Sequence, residues 1–166
     1  MMGKLAYITV ACAGASLVFC IIAIALPYWF YHQTSSWEFY FGLWTVCNES
    51  SVEKALNECR SIVITKDLTY IEATRVLEII GLVHVGIAVI IGVLKLFVMK
   101  QSRTLALVGF LLAVIAGGMM FAGILTFGTN VKRPAEKWDT LHAGFAFAII
   151  STVAAAGTAF CFIYER

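Results

Sequence analysis

The chain has 166 residues, 61% hydrophobic and 13% charged, with a mean hydropathy of +0.89, and such a balance excludes an ordinary soluble domain. A bilayer core about 30 Å thick takes about 20 apolar residues per helix, so this length accommodates four spans and one sizeable loop. The formal net charge of +2 is spread without basic runs, and no zinc-type Cys/His spacing or Gly-rich phosphate loop occurs, which excludes nucleic-acid and nucleotide chemistry and predicts no metal and no cofactor.

In chain order, an apolar run from about 5 to 26 predicts an uncleaved first span, longer than the apolar core of a signal peptide. Pro27 stops it, and Tyr28, Trp29, Phe30 and Tyr31 read as an aromatic belt at the membrane surface. Ala11 and Ala15, with Cys12, Ser16 and Cys20 beside them, form a stripe of small residues that lets helices approach closely in lipid.

The interval from 27 to 70 is polar and β-prone and forms the first outer loop. Trp37, Phe39 and Phe41 alternate with Glu38 and Tyr40, the period of a strand with one apolar face. Trp44 to Cys47 and Ser61 to Thr65 are two further short strand candidates, so a small antiparallel sheet lying on the membrane is expected. Val52 to Cys59 reads equally as a helical turn. Of five cysteines, at 12, 20, 47, 59 and 161, only Cys47 and Cys59 fall outside the spans, which points to one disulfide in an oxidising compartment. Trp44, three residues before Cys47, serves either as an aromatic plate over that bridge or as an interface anchor. Asn48-Glu49-Ser50 is an N-glycosylation sequon and makes Asn48 a candidate acceptor.

The second span covers about 71 to 99. Glu72, Arg75 and Glu78 follow one another at three-residue intervals, and are expected on one helix face as an ion-pair cluster at the membrane edge. His84 lies deeper and is expected to be neutral and bonded to a neighbouring helix. A short basic connection precedes a third span at about 104 to 127, with Gly109, Ala113 and Gly117 as its close-packing seam. A second outer loop follows at 128 to 139. The fourth span covers about 140 to 163, with Ser151, Ala155 and Ala159 as its seam, and Cys161 near its inner end is a candidate for palmitoylation.

Orientation rests on the cysteine pair and the sequon, which place both termini in the cytoplasm. The basic residues do not decide it, since seven of the twelve Lys and Arg then lie outside. Catalysis is not expected. No Cys-x-x-Cys pair occurs, and Glu72, Arg75 and Glu78 are read as sitting at the outer edge rather than inside the bundle.

Four spans, a long first outer loop, Trp29 after span one, then Gly42-Leu43-Trp44 with Cys47 and Cys59, resemble the signature of the claudin, peripheral myelin and epithelial membrane protein superfamily. Arg75 at the mouth of span two matches the arginine usual there. The resemblance covers the whole chain as one claudin-like membrane domain. It implies an all-α transmembrane fold, a left-handed four-helix bundle carrying a small extracellular antiparallel β-sheet from the first outer loop. It also implies a plasma-membrane protein of cell junctions that contacts copies of itself in the same and the opposing membrane to form a paracellular barrier or ion-selective seal. Arg60, Lys66 and Asp67, between the second cysteine and span two, are then the positions that tune ion passage. The chain departs from typical claudins in lacking a cytoplasmic tail that ends in the Tyr-Val motif read by PDZ scaffolds. Its stretch Arg133-Pro134 to Trp138, with Gly144-Phe145-Ala146 after it, is similar to the myelin and epithelial branch. The alternative implied by that branch is a membrane organiser or auxiliary subunit of a channel, receptor or adhesion protein.

Overall fold

The computed structural model describes residues 2–33, 37–50, 58–64, 68–99, 102–131 and 140–164. Four helices are long and apolar enough to cross a membrane: α1 (Met2–Ala25), α2 (Thr69–Phe97), α3 (Arg103–Asn130) and α4 (Ala143–Tyr164). They close a ring in which α1 packs on α2 and α4, and α3 packs on the same two. Buried positions on α2 run Ile71, Thr74, Glu78, Gly81, Val85 and Ala88. On α3 they run Ala106, Gly109, Ala113, Ala116, Met120, Gly123 and Phe127. Steps of three and four alternate in both, and this 3.5-residue repeat is the one that winds helices into a left-handed bundle.

Most seam residues are small, as lipid-embedded packing favours. Ser16 and Ser151 lock α1 to α4 reciprocally: Ser16 Oγ donates to the Ser151 carbonyl at 2.9 Å, and Ser151 Oγ to the Ser16 carbonyl at 2.8 Å. The α4 seam holds Ser151, Ala155 and Ala159 buried. The α1 seam differs from the expected stripe. Thr9, Ala13, Ser16, Cys20 and Ala23 face inward, whereas Ala11 is exposed and Ala15 half-buried, because an exact four-residue step drifts off a face that repeats every 3.5 residues. Gly117 drifts in the same way and is half-buried.

At one end of the bundle sits a five-stranded antiparallel sheet of order β4-β3-β2-β1-β5. Its strands are β1 (Phe30–Gln33), β2 (Trp37–Phe41), β3 (Thr45–Ser50), β4 (Glu58–Ser61) and β5 (Thr140–Leu141). Two expectations are corrected here. The residues read as an aromatic belt divide, Trp29 turning inward and Phe30 and Tyr31 entering β1, because β2 offers them a pairing edge: Phe30 faces Phe41 and Tyr31 faces Tyr40. The strand expected over Ser61 to Thr65 lies earlier, at Glu58–Ser61, since the disulfide aligns Cys59 opposite Cys47. Residues 51–57, where the helical turn was the alternative, lie outside the described residues. β5 precedes α4 and pairs with β1, so the two connecting segments join into one sheet.

Candidate functional site

The sheet's register assigns its two faces, because residues opposite one another on antiparallel strands share a face. One face carries Phe30, Phe41, Val46 and Arg60 in one row and His32, Phe39, Asn48 and Glu58 in the next. Phe39 stacks on Phe41 and on His32. The other face carries Tyr31, Tyr40, Cys47 and Cys59 in one row, with Gln33, Glu38 and Glu49 beyond them. There Tyr40 donates its hydroxyl to Glu38 Oε2 at 3.0 Å, and rings of Tyr28, Tyr31 and His142 surround it. Cys47 and Cys59 are bonded, with Cα atoms 4.0 Å apart.

The Gly-Leu-Trp triplet forms the turn between β2 and β3, and each residue does something different. The Gly42 amide donates to the Thr45 carbonyl at 2.9 Å, and its missing side chain lets the turn press onto Leu26 and Pro27. Leu43 is fully buried and joins Trp29, Phe30, Ile71 and Phe127 in the cluster beneath the sheet. Trp44 remains 42% exposed, and the Arg75 guanidinium lies over its ring, 4.6 Å from the centroid. The same side chain donates from Nε to the Leu43 carbonyl at 2.7 Å. Arg75 therefore pins the turn to the top of α2 through a cation–π contact and a charge-assisted hydrogen bond.

Trp29 is the second clamp. Its indole is fully buried and donates from Nε1 to the Ala23 carbonyl at 2.7 Å, at the end of α1. Its ring meets Phe127 of α3 edge-on with centroids 5.0 Å apart, and Phe145 of α4 at 6.0 Å. The backbone on either side holds the start of α4, since the Gly144 amide donates to the Tyr28 carbonyl and the His142 amide to the Trp29 carbonyl. One aromatic side chain thus joins three helices at the root of the sheet.

The tryptophan clamp at the end of α1, the Gly-Leu-Trp turn held by an arginine of α2 and the disulfide across β3 and β4 are mounted on four helices long and apolar enough to span a membrane. The model of the PMP-22/EMP/MP20/Claudin family matches residues 1–164. The chain belongs to this family. Membership and the four spans make it a multi-pass membrane protein of a structural, non-enzymatic family. No curated protein matches the chain.

Within this family fold, the acidic residues of α2 depart from expectation. Glu72 is exposed and Arg75 half-buried, while Glu78 is fully buried. Two steps of three turn the helix through about 600°, which carries the third residue off the face of the first. Arg75 takes the Leu43 carbonyl and the Trp44 ring instead of a carboxylate pair. Glu78 faces into the bundle, its Oε2 3.8 Å from Cys20 Sγ, and its Oε1 has no hydrogen-bond partner. Gly123 of α3 makes the room, because a Cβ there would lie 3.0 Å from Oε1. A charged residue is therefore inside the bundle after all. Its signal in the sequence was the alternating three-and-four spacing through Ile71, Thr74 and Gly81. His84 is also corrected: Nδ1 bonds to the Ile80 carbonyl of its own helix at 2.7 Å rather than to a neighbour.

Arg60 lies on the edge strand β4 and bonds Glu58 Oε2 at 2.7 Å, both side chains being exposed. The guanidinium beside it holds the Glu58 carboxyl below the usual range. Asn48 is half-buried, opposite Phe39 and Glu58. Lys66 and Asp67 lie outside the described residues. Cys161 is buried in the α4 seam.

Proposed function

We propose that this family member is a structural component of cell–cell contacts, with both termini cytoplasmic and the sheet outside, and that it assembles with copies of itself into a paracellular barrier or ion-selective seal. One observation supports this reading most: β4 is an edge strand whose four residues are all exposed, held in register by the disulfide. An edge of this kind presents unpaired backbone groups that another chain can extend. The bridge keeps it ordered in the absence of a partner, by closing a short loop in the unfolded chain. Arg60 on that edge, with Lys66 and Asp67 nearby in the sequence, supplies the charge that tunes ion passage, and Arg60 favours anions. Asn48 glycosylation and Cys161 palmitoylation are proposed modifications of the same assembly, the second requiring the buried Cys161 thiol to turn out of the α4 seam.

The test is expression of the chain alone in cells without junctions. Freeze-fracture strands at contacts, and intermolecular crosslinks between Ser61→Cys copies in intact cells, are the expected results. Dispersed protein without crosslinks, copurifying in fixed ratio with a larger channel, receptor or adhesion protein, would replace this reading by that of an auxiliary subunit or membrane organiser.

A further inference from the structure

The sheet does not lie flat on the bundle. Between its Phe30-Phe41-Val46 row and the helix ends is a cavity of about 470 Å³, within the range of small-ligand pockets. Ile71 in the first turns of α2 and Phe127 in the last turn of α3 close its base, and both are buried. Its mouth is set by the exposed side chains among its lining: Val63, 78% exposed, together with Arg60, Ser61 and Asn130.

We propose that this cavity holds one hydrocarbon chain of a phospholipid from the bilayer leaflet on the sheet side, with the phosphate of its headgroup at Arg60. Three observations carry the assignment. The base belongs to the terminal turns of two membrane-spanning helices, so the cavity straddles the level at which hydrocarbon gives way to headgroups. Its walls are aliphatic and aromatic, and such surface is better covered by a hydrocarbon chain than by water. The mouth sets an apolar valine beside a guanidinium, which suits an amphiphile with an anionic phosphate better than a uniformly polar or uniformly apolar solute. Arg60 gives one nitrogen to Glu58 and its guanidinium carries further N–H donors. Asn130 spends its amide nitrogen on the Thr126 carbonyl and the Thr129 hydroxyl, so what it offers at the mouth is its carbonyl oxygen, an acceptor for a headgroup hydroxyl and not for the phosphate.

This inference concerns the lipid side of the sheet and is independent of which side is outside the cell; it shares Arg60 with the proposed ion path, and the two are told apart by their readouts, lipid photolabelling here and strand formation and crosslinking there. The full chain is reconstituted in vesicles of phosphatidylcholine and phosphatidylglycerol that contain a phospholipid with a photoactivatable diazirine in one acyl chain, and labelled peptides are identified by mass spectrometry. Labelling is expected on the peptides carrying Phe41–Val46 and Leu68–Ile71. It should be lost in Val46→Trp, which fills the cavity, and reduced several-fold in Val63→Trp, which narrows the exposed mouth with little demand on folding. Arg60→Gln should lower labelling by phospholipid probes of either headgroup, which share the phosphate, more than by a diacylglycerol that carries the same diazirine chain and lacks it. Labelling confined to outward-facing span positions such as Val83, Ile90 and Phe121, or unchanged in Val63→Trp, overturns the proposal. So does equal loss of the phospholipid and diacylglycerol probes in Arg60→Gln, for the phosphate contact.

Discussion

Gly42→Ala adds a single methyl group at the closest backbone approach found at any described glycine. A Cβ at this position would lie 2.5 Å from Pro27 Cα, 2.8 Å from the Leu26 carbonyl oxygen and 3.0 Å from the Pro27 carbonyl carbon. Carbon atoms pack comfortably at about 3.5–4.0 Å, so relief needs a shift of about 1 Å. All three atoms are backbone, and no rotamer change can supply that shift. The turn must lift away from the segment that joins α1 to β1, and it carries Leu43 out of the cluster beneath the sheet. Overpacking that side chains can absorb costs about 1–3 kcal/mol, and loosening the Trp29 amide to Phe41 carbonyl bond beside it adds up to about 1 kcal/mol. Gly42 does not have a positive φ, so alanine returns about 0.4–1 kcal/mol through the unfolded chain. With no side chain free to absorb the overlap the upper half of the overpacking range applies, and the net expectation is a loss of about 1–3.5 kcal/mol. Gly118 on α3 is the control, since a Cβ there meets nothing within 4 Å and a helix gains up to about 1 kcal/mol from Gly→Ala. Reversible unfolding of both variants in the same detergent micelle measures the difference. If Gly42→Ala matches the native chain or tracks Gly118→Ala, the close approach is not what requires glycine in this turn.

Trp29→Phe keeps a ring in the clamp but removes the donor to the Ala23 carbonyl, and the orphaned acceptor should cost about 1–3 kcal/mol in the same unfolding assay; an unchanged midpoint would show that water replaces the indole. Glu78→Met replaces the buried carboxyl by an apolar chain of similar length and should leave the midpoint unchanged or raised, as buried unpaired polar groups destabilise; a clear drop would mean that Oε1 is bound to something the fold requires. Burial, and then the hydrogen bond and charge of Glu38, push the Tyr40 phenol from 10.0 up to about 12. The neutral phenol is favoured by the fold, so the stability it contributes is complete below pH 10 and is lost as pH rises through 12. In Glu38→Gln, phenolate difference absorbance, with Tyr40→Phe subtracted, should titrate closer to the free value; no movement would remove the carboxylate from the explanation.

Much of this architecture is legible from local pattern. Hydropathy marks the spans, since a membrane helix must satisfy its own backbone and cover itself in apolar side chains for about 20 residues. Alternation over Trp37 to Phe41 marks β2, because strand side chains alternate faces at every step. The seams were read only in part. Small residues at four-residue spacing identify helix packing, but the difference between a step of four and a mean of 3.5 decides which alanine is buried, and that difference appears only once neighbouring helices wind around each other.

Partners that arrive from distant segments could not be read in this way. Arg75 has glutamates at three residues on either side, yet it bonds a carbonyl 32 positions earlier, because the sheet folds back over α2 and brings the Leu43-Trp44 turn to it. Trp29 carries the composition of an interface anchor. It becomes the central clamp because α3 presents Phe127 and α4 presents Gly144, whose absent side chain leaves the indole its space. β5 consists of two residues, too short to show any period, and exists because β1 has an open edge beside it. Glu78 would be placed at the surface by its chemistry, and helix phase together with the vacancy at Gly123 takes it inside. Span length, strand alternation and the cysteine pair are properties of neighbouring residues and are therefore written in the chain. The clamp, the arginine's partner and the buried carboxyl depend on which surfaces four helices and a sheet bring together, and only the assembled fold settles them.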